Sequence, residues 1–434
     1  MMIKKLVVLV VFICNLSWAQ KTLNGTFMPP EEFTHVFLYQ STPRGANYVN
    51  RSEVSSEGKF SITIDSTYKK GIYKLVYALP PEDNNFDILY NGKDDITLHF
   101  DLEKGVEYSQ SKDNKLWSSY QNSMEAANTT INHFYSNDGE SSSTFTKIFN
   151  TLKDAQLAFE NAAKDSPMAL EFIKANKPYI PTSYEDYNTY TTHVKTHFLD
   201  YLNFESQLLL SSDFLTNKVF AFVFGMSNTN SDYKTQIDRL AKKITTVETR
   251  TAYLEMLWQE FVNQDNDAIA NYITDTYLLD LANSQNNTNL ATMITTYKRT
   301  SKGSLAPNFD VVFNSKNTTL HDLNSANKYL IVFWSSTCGH CLKELPQLET
   351  FVKDIPKNEL TVIALGMEDD DENWLETIPK FPDFKHILGL HKWDNPVAKS
   401  YGVTSTPTYF LLDQDKTIIA KPYDINAVKD VLKQ

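Results

Sequence analysis

Cys338-Gly339-His340-Cys341 is the stretch of this 434-residue sequence whose residue types and spacing could do chemistry. A thiol attacks only as the thiolate, and an ordinary cysteine with a pKa of about 8.5 is mostly protonated at neutral pH. The pair follows a continuous apolar run, Tyr329 to Trp334, and opens a helical pattern with Leu342, Leu345, Leu348 and Val352 on its inner face. This order predicts Cys338 where a central strand ends and a helix begins, so that unpaired amides and the helix dipole favour negative charge there. His340 supplies a second source of positive charge. Cys338 is therefore expected to be the attacking nucleophile, and Cys341, one turn further in and deeper, the residue that resolves the mixed disulfide.

The remaining cysteine, Cys14, falls in a segment with the pattern of an export leader. Lys4 and Lys5 form a charged start, Leu6 to Ile13 an apolar core, and Ser17-Trp18-Ala19 a cleavage pattern before Gln20. Lipid attachment at Cys14 would need a small residue before it, where this chain has Ile13. A signal peptide over residues 1–19 is expected, with export to the periplasm or cell envelope. The apolar run is far shorter than the roughly 20 residues of a membrane span, so no spanning segment is expected after leader removal. Cys338 and Cys341 would then be the sole mature cysteines, in a compartment where disulfides form readily. A bridge across two residues closes a tiny loop and constrains the unfolded chain little, so the pair reads as redox chemistry rather than a staple.

Other chemistries fit less well. A zinc site needs about four ligands and one C-x-x-C supplies two; His321, His386 and His391 lie in other segments and read as surface or satisfied histidines. A net charge of −12 leaves no basic stripe to release phosphate counterions, which argues against nucleic acid.

Three regions must position the pair. Residues 20–110 read as a β-sandwich-like domain of six or so short antiparallel strands: His35 to Tyr39, Phe60 to Ile64, Tyr73 to Tyr77, Asp87 to Tyr90 and Ile96 to Phe100 are candidates, separated by turns such as Glu57-Gly58 and Asn91-Gly92. Residues 111–298 read as helical, with Asn114 to Tyr135, Phe145 to Ala163, Thr246 to Val262 and Asp267 to Leu281 the clearest segments, a loop at Asp138-Gly139-Glu140, and Ser166-Pro167 as a capped helix start. Tyr184, Tyr187, Tyr190 and Tyr201 read as amphipathic core. Residues 299–304 read as a polar linker. Residues 305–434 alternate: helix Glu372 to Ile378, a short helix at Pro396 to Tyr401, strands Thr361 to Met367, Tyr409 to Asp413 and Thr417 to Lys421, and a last helix from Asn426. The expected architecture is multi-domain α+β, ending in an α/β sandwich.

The stretch Phe333-Trp334-Ser335-Ser336-Thr337-Cys338-Gly339-His340-Cys341, with Pro346 beyond it, resembles the active-site strand and kinked helix of thioredoxins. Gly402 to Phe410 resembles the loop that holds a cis-proline against the cysteine pair. By that resemblance Pro407 is the cis-proline, Thr406 offers its backbone to a substrate strand, and Trp334 and Thr337 border the substrate. Ala306-Pro307-Asn308-Phe309 resembles the entry motif of the extracytoplasmic TlpA/ResA-like branch with the AhpC/TSA-type thioredoxin domain. The resemblance covers residues 305–434, and the front of the chain resembles the β-domains fused to such thioredoxins in Bacteroidetes.

It implies reversible dithiol–disulfide exchange with disulfide-containing envelope proteins, in the reductase direction, with an upstream thiol electron donor and no metal or organic cofactor. Three departures bear on tuning. Val332 stands where thioredoxin carries a buried aspartate, so the acid that assists the resolving thiol moves elsewhere. Glu368, ending the strand Thr361 to Met367, is the candidate, because this branch uses a carboxylate after that strand, although the run Asp369 to Glu372 behind it reads as solvated. Thr337 replaces a common tryptophan. Gly339-His340 is the dipeptide of protein disulfide isomerase, whose potential lies about 90 mV above that of thioredoxin, roughly 4 kcal/mol for two electrons. A peroxidase is the nearer rival, but Ser335 stands where peroxiredoxins place a threonine. A second rival is an envelope binding module formed by the first 300 residues, with an accessory redox domain.

Overall fold

The structure, a computed structural model, describes residues 21–433 apart from 66, 138–140, 314 and 315. The leader at residues 1–19 and the loop at 138–140 lie outside the described residues. The chain divides into two compact units, one of residues 1–228 and 242–246, the other of residues 229–241 and 247–434.

The first unit begins with eight strands: β1 (Lys21–Met28), β2 (His35–Thr42), β3 (Gly45–Glu53), β4 (Lys59–Ile64), β5 (Gly71–Val76), β6 (Asn85–Tyr90), β7 (Ile96–Asp101) and β8 (Gly105–Gln110). They form two four-stranded sheets, ordered β4-β1-β7-β8 and β3-β2-β5-β6. The period-two alternation of β4 and β7 turns Phe60, Ile62, Ile64, Ile96, Leu98 and Phe100 inward, and the other sheet contributes Val36, Leu38, Tyr73, Leu75, Ile88 and Tyr90 to the same core. This is the β-sandwich read from the sequence, with two corrections. It has eight strands rather than six, because β3 and β8 are polar and largely exposed, and in β1 a glycine, Gly25, occupies the inward position between Leu23 and Phe27 and hides the apolar alternation. It is also not wholly antiparallel, since β1 and β7 run parallel.

Helices follow: α1 (Lys112–Asn137), α2 (Ser142–Ala162), α3 (Pro167–Ala175), α4 (Tyr187–His197), α5 (Gln207–Leu210) and α6 (Asp213–Val223). Pro167 occupies the first turn of α3 as expected, but the Ser166 hydroxyl makes no capping bond and is buried without a partner. Of the tyrosines read as core, Tyr190 packs on Phe149 and Tyr135. Tyr184, Tyr187 and Tyr201 keep 40%, 57% and 47% of their surface exposed, so they flank the core instead of filling it.

The second unit opens with helices α7 (Asn230–Lys243, whose last two residues fall to the first unit), α8 (Val247–Asn263), α9 (Asp267–Ile273), α10 (Leu279–Ser284) and α11 (Thr288–Arg299), α9 and α10 being joined by a π-helical turn over Thr274–Leu278. The polar stretch after α11 is pinned. Ser301 is fully buried and bonds Asn271, the Lys302 amide donates to Asp267, and Gly303 and Ser304 exchange backbone bonds with Ile418.

A hairpin of β9 (Asp310–Phe313) and β10 (Lys316–Thr319) leads into a five-stranded sheet. Its strands are β11 (Lys328–Trp334), β12 (Leu360–Glu368), β13 (Lys385–Leu390), β14 (Thr408–Leu412) and β15 (Ile418–Ala420), in the order β13-β12-β11-β14-β15. β11, β12 and β13 are parallel, whereas β14 is antiparallel to β11. The apolar run of β11 serves two cores at once. Tyr329, Ile331 and Phe333 face one layer; Leu330, Val332 and Trp334 face the other, under α12 (Cys341–Val352). The remaining helices are α13 (Glu372–Thr377), α14 (Pro396–Ser400) and α15 (Ile425–Lys433). Leu342, expected on the inner face of α12, is 41% exposed; Cys341 takes that inward position beside Leu345, Leu348 and Val352. Among the described residues no helix is long and apolar enough to cross a membrane.

Candidate active site

β11 ends at Trp334 and α12 begins at Cys341, so residues 335–340 form the loop between strand and helix. Within it the Cys338 amide donates to the Ser335 carbonyl at 3.1 Å, and the Thr337 amide donates to the Ser335 hydroxyl at 3.3 Å. This folds the loop so that Thr337, Gly339 and His340 are exposed, Cys338 is half-buried and Cys341 is completely buried. The order of depth matches the order of expected roles.

The two thiols are held in opposite electrostatic states. Burial alone would raise the Cys338 pKa, but it is outweighed by hydrogen bonds from the side chains of Cys341 and Thr406 and from the amides of Cys341 and His340, which together hold the thiol below its ordinary value. The Cys341 amide donates to Cys338 Sγ at 3.2 Å. Cys341 is pushed up to about 12, first by burial and then by its bond to Cys338, whose partial negative charge disfavours a second anion beside it. The first thiol is thus prepared to attack, while the second keeps its proton until something removes it.

The loop before β14 closes the site from the other side. The Thr406–Pro407 peptide is cis, and the protonated Cys338 thiol donates to the Thr406 carbonyl at 3.3 Å. Thr406 and Pro407 are both partly exposed beside Cys338.

Glu368 is the last residue of β12 and only 3% exposed, unlike the solvated run that follows it. One carboxylate oxygen accepts from the Ser336 amide at 2.6 Å and the other from the Ser335 hydroxyl at 3.3 Å. The acid therefore grips the loop immediately ahead of Cys338. Ser335 and Ser336 belong to the stretch that resembles the thioredoxin active site, but the sequence assigns neither of them a contact with Glu368. Neither carries a signal until β12 is seen to run alongside β11 and bring its end to them.

Two expected contacts are not made. Trp334, read as bordering the substrate, is fully buried against Phe381 and cannot meet a client. Strand alternation explains this, because Trp334 shares the inward face of Leu330 and Val332. The His340 ring is 79% exposed and lies 4.0 Å from Glu344, so it is the His340 amide, not its imidazole, that reaches Cys338. Sequence reading also missed Glu344, which accepts from the Tyr409 hydroxyl at 2.9 Å and from the Ile425 amide at 3.0 Å, tying α12 to β14 and α15. Its position three residues beyond Cys341, on the same side of a helix, is the signal that could have found it.

The histidines read as surface or satisfied take structural places. His321 bonds the Ala306 carbonyl at 2.7 Å and holds the entry motif, whose Pro307 carbonyl accepts from Tyr401. His391 is exposed in a left-handed turn. His386 lies inside β13, bonded at Nε2 to the Phe381 carbonyl, while its buried Nδ1 has no partner. Among the described residues no three His, Cys, Asp or Glu side chains are grouped to hold a metal ion.

A family model described as Redoxin matches residues 301–433. The thiol–disulfide oxidoreductase ResA of Bacillus thuringiensis subsp. konkukian is 30% identical over 118 residues, 27% of this chain and 66% of the relative. ResA of Bacillus cereus is 30% identical over 120 residues, 27% of this chain and 68% of the relative. The chain spans about two thirds of the length of these curated relatives. The crystal structure of the thioredoxin domain of a thiol–disulfide oxidoreductase from Bacteroides vulgatus is 24% identical, with a TM-score of 0.27, covering 30% of this chain and 95% of its own. By its C-terminal domain, the chain belongs to the ResA/TlpA-like family of thiol–disulfide oxidoreductases.

Proposed function

We propose that this protein reduces disulfides of cell-envelope proteins by dithiol exchange through Cys338 and Cys341. The observation that carries the reading is the opposed tuning of the two thiols, one held below its ordinary pKa and the other raised to about 12. An envelope location is in keeping with the leader pattern of residues 1–19.

The Cys338 thiolate attacks one sulfur of a client disulfide lying beside Thr406 and Pro407, with exposed Thr337 on the facing rim. The client S–S bond breaks, a Cys338–client disulfide forms, and the first client sulfur leaves as a thiolate. Cys341 must then lose its proton to attack Cys338 Sγ. A thiol with a pKa of about 12 does not do so unaided at neutral pH. Glu368 is the assisting base, placed by its hold on Ser335, whose backbone amide reaches the Cys341 thiol. When Cys341 attacks, the Cys338–Cys341 disulfide closes and the second client thiolate departs. The client gains two electrons and the protein loses two, so an upstream dithiol donor has to restore the pair.

Cys341→Ser expressed in the native envelope tests this. The variant retains the nucleophile and lacks the resolving thiol, so client proteins should accumulate as mixed disulfides with Cys338 and disappear on adding dithiothreitol. Absence of any such adduct, with a wild-type pair that glutathione cannot titrate, would sink the proposal.

A further inference from the structure

Outside the redox domain, the first unit contains a cleft of about 510 Å³, within the range of about 300–1,000 Å³ typical of small-molecule sites. Phe86, Tyr108, Trp117, Phe172 and Phe214 line it, together with Lys218. Trp117, Phe172 and Phe214 pack against one another with ring centroids 5.1–5.8 Å apart, so three aromatic faces meet in one wall. The other walls come from β6 and β8 of the sandwich and from α1, α3 and α6, all elements of the same unit.

Lys218 is the unusual member. Its ammonium lies 5.4 Å from the Phe198 ring centroid and 5.6 Å from that of Phe214, and it has neither a hydrogen bond nor an ion pair among the described residues. Burial alone lowers its pKa, to about 8. Two carboxylates line the same cleft, but both are already engaged. Asp87 and Asp213 share Lys74 at 2.9 Å and 2.5 Å, and Asp87 also accepts from the Asp213 amide. The cleft therefore has an acidic end, where two carboxylates share one lysine, and a cationic end, where Lys218 has no hydrogen-bonding or ion-pair partner among the described residues. An ammonium drawn out of water is normally paired, and aromatic faces compensate for its lost hydration only in part.

We propose that this cleft binds a small organic anion, its aromatic or acyl body against Trp117, Phe172 and Phe214 and its carboxylate or sulfonate head on Lys218. The site would make the first unit a ligand-binding module, independent of the thiol chemistry. Exposed Gln121 and Asn217 at the rim leave an entry path for the head group.

The full chain can be titrated with 8-anilino-1-naphthalenesulfonate and with its uncharged analogue N-phenyl-1-naphthylamine. The sulfonate should bind saturably, one per chain, at least ten-fold more tightly than the neutral compound. Lys218→Met should weaken the sulfonate about ten-fold and leave the neutral compound unchanged. Lysine acetylation with N-acetoxysuccinimide, followed peptide by peptide on the wild-type protein, gives a second reading that needs no folded variant: the sulfonate should shield Lys218 and not Lys74. Equal affinity for the two compounds in the wild type, or acetylation of Lys218 at the same rate with and without the sulfonate, would overturn the assignment.

Discussion

Glu368 and Ser336 lie 32 residues apart in sequence and are joined by a 2.6 Å hydrogen bond from the Ser336 amide to the buried carboxylate. The bond links the end of β12 to the loop that presents Cys338, so a single buried acid fixes the loop and also holds the hydroxyl of Ser335, whose backbone amide reaches the Cys341 thiol.

Glu368→Gln separates those two roles. The amide oxygen can still accept from Ser336, so the loop should survive with a stability loss of about 1–3 kcal/mol. The base is gone, however, and resolution of the mixed disulfide should slow about 100-fold, the lower range for a positioned acid–base group. Stopped-flow reduction of a fluorescent peptide disulfide separates attack from release. Attack unchanged with release slowed supports the base; equal slowing of both would reduce Glu368 to a loop anchor.

The thiol pKa values set a pH dependence. Cys338 is held below its ordinary value, so iodoacetamide should alkylate it with a midpoint below the roughly 8.5 of a free cysteine, and Cys341 should stay unmodified at neutral pH. Stability follows with the opposite sign at Cys341. An unfolded thiol ionises from about 8.5 whereas the folded one waits until about 12, so the reduced protein loses stability as pH rises through that window, by at most about 1.4 kcal/mol per unit. Urea midpoints of reduced wild type and Cys341→Ala should diverge at pH 7 and converge toward pH 11. A constant difference would contradict the raised pKa.

How far the sequence could be read depended on whether a signal was local. The run Tyr329 to Trp334 and the C-x-x-C after it identify strand, helix start and nucleophile because each is a property of adjacent residues. β4 and β7 were legible by alternation, while β1 and β8 were not: Gly25 interrupts the apolar positions of β1 and its partners lie far along the chain, and β8 is a polar, largely exposed strand hairpinned to β7. Glu368 was named from a resemblance, yet its hold on Ser335 and Ser336 depends on the β11–β12 register, which no local pattern encodes. Trp334 and Leu342 failed for a related reason: one step along a strand or helix exchanges core for surface.

Gly366 gives a packing prediction beside the site. A Cβ there would come within 2.5 Å of Trp374 Nε1 and 2.6 Å of its Cδ1. Trp374 is nearly buried against the sheet and cannot swing away without disturbing that core. Gly366→Ala should therefore cost about 1–3 kcal/mol, the usual range for overpacking. The urea midpoint, followed by tryptophan fluorescence, measures it; a neutral substitution would mean that Trp374 gives way freely.

The stretch 299–304 supplies the last test, because composition reads as a linker and the contacts do not. Asp267 accepts from the Tyr297 hydroxyl through one oxygen and from the Lys302 amide, at 2.8 Å, through the other. With Ser301 fully buried, the two trypsin sites at Arg299 and Lys302 lie in backbone that cannot enter a protease cleft without local unfolding. Asp267→Ala removes both anchors and leaves a partly buried hydroxyl and an amide to find water, at a cost of about 1–3 kcal/mol. A loss of about 1.4 kcal/mol, in the lower part of that range, already raises the open population of this segment roughly ten-fold. Limited trypsin digestion should then release a C-terminal fragment of residues 303–434 from the variant about ten times faster than from wild type, while a distant control such as Lys59→Ala leaves the rate unchanged. Rapid cleavage at 299–302 in the wild type itself would show that the segment is a linker after all.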